Sequence, residues 1–146
     1  MSFTIRPAAL SDTDAIMAVE KTGIAHPWTR ESIEALIEEA DKTALTAVSS
    51  DGAVIGYVGA SFVLDEAEIG NICVLPEYRG QGVGKALFTA LLDALKEHGI
   101  KEVFLEVESD NESAVALYEK AGFVKYNQRR DYYGGGRDAM LYKRSL

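Results

Sequence analysis

Pro76–Lys85 reads PEYRGQGVGK and runs straight into ALFTALLDALKEHG. Gly80, Gly82 and Gly84 alternate through a turn whose backbone amides can all face inward, and the turn opens into a helix. A helix start carries unpaired N–H groups and the positive end of the macrodipole. Glycines remove the Cβ atoms that would hold an anion away. The stretch is therefore a candidate phosphate cradle. It is not a P-loop, because no glycine stands five residues after Gly80 and Ala86 follows Lys85 where Ser or Thr is required. Nor is it a dinucleotide fingerprint, because Gly80-x-Gly82 is followed three residues later by Lys85 rather than Gly or Ala. What remains is Arg79-x-x-Gly82-x-Gly84, after a strand-like NICVLP and before an amphipathic helix. A loop of this kind also serves as an ordinary strand-to-helix turn, so its meaning depends on the rest of the chain.

Three other residues carry reactive side chains in suggestive places. Val103, Leu105 and Val107 define one face of a strand, and Glu106 points to the other. A carboxylate there needs a cleft or a partner, because a bare buried charge is costly. It fits a structural ion pair as well as a catalytic base. Asn111 and Tyr118 lie two helical turns apart and share a face with Ala114 and Val115. Tyr118 can equally be a half-buried tyrosine with a surface hydroxyl. Cys73 sits in an apolar strand with no histidine nearby in sequence, whereas reactive cysteines need an electropositive or base-assisted setting. It reads as a small core residue. The two histidines and the cysteine are too far apart for metal-ligand spacing, so no metal is expected.

These residues need a fold to bring them together. With 146 residues the chain is long enough for one domain with a real core, and 1–146 is read as a single unit. Phe3–Arg6 reads as a strand. Ser11-x-x-Asp14 resembles a capping box that opens a helix carried by Ile16, Val19 and Glu20 to a stop near Gly23. Pro27 and Thr29 introduce a second helix with Ile33, Leu36 and Ile37 on one face. Leu45–Ser49, the Asp51-Gly52 turn and Val54–Leu64 read as a hairpin, extended to a meander by Ala67–Leu75. In the long helix after the glycine loop, Val83, Leu87, Leu91 and Ala94 mark the buried face, and Gly99 closes it. Lys101–Val107 is a strand, Asn111–Ala121 a helix ended by Gly122, and Phe123–Arg129 with Ala139–Lys143 a last strand pair. The order β-α-α-β-β-β-α-β-α-β-β is a mixed α/β (α+β) domain rather than a doubly wound one.

The net charge of −8, with acidic residues gathered in 31–41, 65–68 and 102–112, argues against a nucleic-acid surface and suits a cationic acceptor such as an amine. No run approaches the roughly 20 apolar residues of a membrane span. MSFTIRPAALSD lacks an export pattern, and a single cysteine fits a reducing, cytoplasmic compartment.

The whole chain resembles the GCN5-related N-acetyltransferases. The glycine loop resembles their acetyl-CoA pyrophosphate loop, and NICVLP with LEVESDNESAVALYEKAGF resembles their two cofactor segments in order and spacing. His26-Pro-Trp28, Leu105-Glu-Val, Asn111…Leu117-Tyr118…Gly122-Phe123 and Arg130-Asp-Tyr-Tyr133…Asp138-Ala139 resemble the RimI-type subgroup, which acetylates the N-terminal alanine of a ribosomal protein. The resemblance implies a twisted, mostly antiparallel sheet with one splayed strand pair that admits the pantetheine arm. It assigns Ile72, Cys73 and Val74 to backbone contacts with acetyl-CoA, the Val74 amide to polarising the thioester carbonyl, and Arg79, Gly80, Gln81, Gly82, Val83, Gly84, Lys85 and Asn111 to cofactor binding. Glu106 becomes the general base, and Tyr118 the acid that protonates the departing thiolate beside the cofactor. Trp28, in the Thr22–Trp28 link, and Tyr132 and Tyr133, in the 130–138 loop, become acceptor contacts, although Trp28 can also anchor its helix in the core. The triple glycine 134–136 reads as a mobile tip. The implied partner is a protein or peptide N terminus, with no nucleic acid or membrane, bound by a monomer or weak homodimer in direct transfer. A small-amine or lysine acetyltransferase, or a non-catalytic acetyl-CoA-binding module, shares the same cofactor residues.

Overall fold

The computed structural model describes residues 2–23 and 27–146. His26, expected in the acceptor link, lies outside them. The described elements are β1 (Phe3–Pro7), α1 (Thr13–Lys21), α2 (Arg30–Glu38), β2 (Lys42–Ser49), β3 (Val54–Val63), β4 (Glu66–Val74), α3 (Val83–Glu97), β5 (Glu102–Glu108), α4 (Glu112–Lys120), β6 (Val124–Arg129) and β7 (Ala139–Ser145). All seven strands join one sheet in the order β1-β2-β3-β4-β5-β7-β6.

Every neighbouring pair is antiparallel except β4 and β5. That parallel pair is in register only at Glu66–Glu102, Ala67–Val103 and Glu68–Phe104. Beyond these positions the two strands part, which is the expected splay. A bulge in β4 accompanies it: Val58 faces Ile72 and Ala60 faces Ile69, so Gly70 and Asn71 together stand opposite Gly59. An extra residue bends the strand that carries it and adds twist.

Helices cover both faces of the sheet. On one face, Ile16 and Val19 of α1 and Ile33 and Leu36 of α2 pack on Ala44, Tyr57 and Cys73. On the other, Leu87, Phe88, Leu91 and Leu95 of α3 and Tyr118 of α4 pack on Leu45, Val58, Val103 and Leu105. Close approach matters on the first face, where a Cβ at Gly59 would lie 2.4 Å from Leu36 Cδ2.

Two local expectations are corrected. The first helix is not capped by Ser11. A 3₁₀ turn at Leu10–Asp12 precedes α1, and the Asp12 carboxylate accepts from the Ala9 N–H at 2.8 Å and from Arg6 Nη1 and Nη2 at 2.7 and 3.0 Å. On α3, Val83, Leu87 and Leu91 are buried as periodicity predicts, but Ala94 is half-buried and the seam runs through Phe88, Leu92 and Leu95. Phe88 packs against Tyr118 and Phe123 beside α3, which widens its apolar stripe. The Thr29 cap of α2 forms as expected, its hydroxyl accepting from the Ser32 N–H at 3.2 Å.

Candidate active site

The glycine loop is shaped by φ values only glycine adopts easily: +76° at Gly80 and +84° at Gly82. A Cβ added at either would meet nothing within 4 Å. The requirement is therefore on the backbone, and the space over the turn is open to a ligand. The Ala86 N–H bonds the Gly82 carbonyl at 3.0 Å, the first bond of α3. The amides of Val83, Gly84 and Lys85 precede it and have no partner within the helix. Arg79 folds back, its Nε donating to the Val74 carbonyl at 3.1 Å. Gln81 turns away from this space and donates to the Glu77 carbonyl at 3.2 Å.

A groove of about 850 Å³ follows the splay from this loop. On one side stand Ile72, Cys73, Val74, Arg79, Gly80, Gly82, Val83, Gly84 and Lys85, and on the other Glu106, Asn111, Tyr118 and Tyr133. Thus most of the residues singled out by sequence converge. Gln81, Trp28 and Tyr132 do not line it. The backbone of β4 supplies the groove with alternate amides. Leu75 donates to the Ile55 carbonyl at 2.9 Å, so the backbone groups of Leu75 and Cys73 face β3 and those of Ile72 and Val74 face the gap. Cys73 is thereby removed from the expected backbone contacts. Its side chain is buried, its Sγ lies 3.4 Å from the Val19 carbonyl, and burial raises its thiol pKa against a smaller opposing pull from Arg79. The thiol stays protonated and packs as a core residue.

Glu106 projects from β5 opposite Val103, Leu105 and Val107. Its Oε1 is shielded from solvent and has no hydrogen-bond partner among the described residues. Buried polar atoms are rarely left so. Beside it, burial and then the charges of Glu106 and Glu108 push the Tyr133 phenol up to about 12. Tyr118 reaches the groove from α4, on the opposite face of the sheet. Its ring is packed by Phe88 at 5.3 Å and Phe123 at 6.3 Å, and burial pushes its phenol up to about 12. The splay therefore has a partnerless carboxylate oxygen on one face and a held proton on the other. Asn111 caps α4 at the groove edge, its Oδ1 accepting from the Ala114 N–H at 3.3 Å.

The 130–138 loop closes one end. Its glycine tip has φ of +80°, +63° and +80° at Gly134, Gly135 and Gly136. Rather than a free tip, it is a bonded turn: Gly134 N–H donates to the Asp131 carbonyl at 3.0 Å, Gly136 N–H to Asp131 Oδ1 at 2.6 Å, and Asp131 N–H to Asp138 Oδ1 at 2.8 Å. Arg137 reaches Glu108 at 3.7 Å across the groove mouth. Tyr132 stands outside, edge-on to Tyr133 with ring centres 5.2 Å apart and the Arg129 guanidinium over its ring at 5.3 Å. Trp28 packs over Gly70, where a Cβ would lie 3.2 Å from its Cη2. A second cleft of about 350 Å³ shares Glu106 and runs past Phe104, Glu68, Tyr126 and Arg129.

Sequence reasoning missed Gly70, Asn71, Glu108, Arg137 and the buried Glu20 as parts of this region. A glycine inside a strand run was a usable sign of the bulge. Glu20 was visible too, because Ile16, Val19 and Glu20 share one helical stripe.

Residues 13–123 match the acetyltransferase (GNAT) family. The chain belongs to that family. It is 33% identical over 141 residues to the [ribosomal protein bS18]-alanine N-acetyltransferase of Escherichia coli (strain K12), covering 94% of each. The crystal structure of the ribosomal-protein-S18-alanine N-acetyltransferase from Escherichia coli superposes with a TM-score of 0.91 at 31% identity, covering 99% of this chain and 94% of that one. Ard1 from Thermoplasma volcanium superposes with a TM-score of 0.90 at 28% identity over 100% of this chain and 99% of that one. The family match takes in the glycine loop, Glu106 and Tyr118 and stops before the 130–138 loop. The matched residues also include α1, α2 and Trp28.

Proposed function

We propose that this protein transfers an acetyl group from acetyl-CoA to the N-terminal α-amine of a protein, with a ribosomal protein beginning in alanine as acceptor. The observation that carries the reading is the placement of Glu106 and Tyr118 on opposite faces of the splay. The E. coli relative's named acceptor supports the choice of alanine.

The residues present fit acetyl-CoA. The open turn over Gly80 and Gly82, the first-turn amides of α3 and Lys85 suit a pyrophosphate. The gap-facing amides of Ile72 and Val74 suit the amide-bearing pantetheine arm, with Asn111 at the edge. Acetyl-CoA, when bound, supplies the acetyl group as a thioester. The Val74 N–H polarises its carbonyl, and a donor so placed is typically worth about 3 kcal/mol of barrier. Glu106 Oε1 takes a proton from the α-ammonium, whose pKa near 8 demands only a modest base. Tyr118 keeps its phenolic proton for the departing sulfur. Buried and protonated, Cys73 offers no thiolate for a covalent relay, which supports direct transfer from donor to amine.

The acceptor would enter between the Trp28 link and the Tyr133 loop. The second cleft, bordered by the same Glu106, gives an extended chain a way out, which favours a peptide over a small amine. CoA release with three acceptors tests this: a peptide with a free N-terminal alanine and blocked lysines, one with a blocked N terminus and free lysines, and spermidine. Turnover confined to the first is expected. Turnover mainly on spermidine would move the protein to the small-amine class. Glu106→Gln and Tyr118→Phe should each lower kcat by about 10²–10⁴ and leave acetyl-CoA binding nearly intact. Full activity in both would remove the assigned roles.

A further inference from the structure

Glu20 is completely buried in the last turn of α1, and the chemistry proposed above makes no use of it. A carboxylate held without solvent needs bonds that replace water. Glu20 has three. Its Oε1 accepts from the Trp28 backbone N–H at 2.7 Å, and its Oε2 accepts from the Tyr57 hydroxyl and from Asn71 Nδ2 at 3.0 Å. The donors come from separate places: the end of the α1–α2 link, the middle of β3, and the bulge of β4.

Two of those places shape the acceptor side. Asn71 lines the groove and belongs to the bulge that accompanies the β4–β5 splay. Trp28 lies over Gly70, the other bulge residue. The Trp28 segment is therefore pinned twice to one spot, by its indole on Gly70 and by its amide on Glu20. We infer that Glu20 is a positioning residue whose carboxylate fixes the Trp28 end of the α1–α2 link to the β4 bulge and so sets the acceptor-side wall of the groove. The inference rests on the acceptor reading proposed above. Among the described residues the glycine loop and α4 make no hydrogen bond to Glu20, so its loss should fall more heavily on the acceptor than on acetyl-CoA.

Trp28 is the chain's single tryptophan, so its fluorescence reports the link without any need for turnover. Glu20→Met removes both acceptor oxygens at similar length. Glu20→Gln keeps one carbonyl oxygen for the Trp28 N–H. In the Met variant, acrylamide quenching of Trp28 should rise about twofold, and KM for a peptide with a free N-terminal alanine about tenfold, with acetyl-CoA KM within about twofold. The Gln variant should return both readouts most of the way to wild type, a rescue that a merely space-filling role would not produce. Native quenching and native acceptor KM in the Met variant would overturn the proposal, as would an equal rise in both KM values. Should the Met variant fail to fold, Tyr57→Phe and Asn71→Ala each remove one donor from Oε2. Smaller shifts in the same direction are then expected, and unchanged Trp28 quenching in both would overturn the proposal. If no peptide is turned over, the function reading fails while the quenching still decides the role of Glu20.

Discussion

The Tyr118 and Tyr133 phenols, both pushed up to about 12, determine which proton controls the rate. A raised phenol pKa keeps the neutral form, so neither residue loses its proton below about pH 10. The acceptor amine, with a pKa near 8, is then the group that titrates in the alkaline working range. With an N-terminal alanine peptide, kcat/KM should climb with pH through about 8 and stay level to about 10. A decline between pH 9 and 10 would mean that one of the two phenols ionises like an ordinary tyrosine and is not held neutral in the groove. Glu106 was legible in the sequence because period-2 alternation alone turns it away from Val103, Leu105 and Val107. Its partnerless oxygen was not, since that depends on strands far apart in the chain. The same holds for Glu20: its stripe predicts burial, and only the fold supplies Trp28, Tyr57 and Asn71 around it.

Two glycines separate what an element does for the site from what it does for the fold. Gly82 has open space around it and a left-handed φ of +84°. Alanine there meets no neighbour, but strains the backbone by about 1–2 kcal/mol, relieved most readily by reshaping the turn. Gly82→Ala should weaken acetyl-CoA binding in calorimetry and change stability little. Gly59 is the reverse case, outside the glycine loop and pressed on Leu36. Gly59→Ala overfills the contact between α2 and the sheet, at a cost of about 1–3 kcal/mol in chemical denaturation. Its acetyl-CoA affinity should stay near native, and a matching loss of affinity would show the two regions to be coupled. The meander, the glycine loop and α4 with its Asn111 cap and Gly122 stop were readable because their signals are local. The 3₁₀ turn before α1 was not, because Asp12 is recruited by Arg6 from β1. Nor was the insertion of β7 between β5 and β6, a long-range pairing that no local pattern encodes.

At the scale of the molecule, the sheet has an edge to secure. β1 lies at one margin, paired only to β2, and the Arg6–Asp12 bond ties it to the entrance of α1. The Arg6 guanidinium, reinforced by the Ala9 N–H, holds the Asp12 carboxyl below its ordinary value. A carboxylate whose pKa is lower folded than unfolded contributes stability that is fully present above the unfolded value, about 3.9, and is lost as pH falls through the folded one. Many of the other acidic groups of this −8 chain also take up protons there, so total stability does not isolate Asp12. The difference between wild type and Asp12→Asn does. Measured by urea unfolding, that gap should be widest near neutral pH, begin to close below about pH 4, and shrink further toward pH 2. A constant gap would assign the loss to the shape of the Asp12 turn instead of its charge. The acidic residues of Lys42's surface pairs, Glu39 and Asp41, are substantially exposed, and such pairs contribute little. The part-buried bond at the sheet margin, with the Asp12 side chain well shielded, should therefore contribute more than those surface pairs and hold until the pH falls below the ordinary carboxylate range.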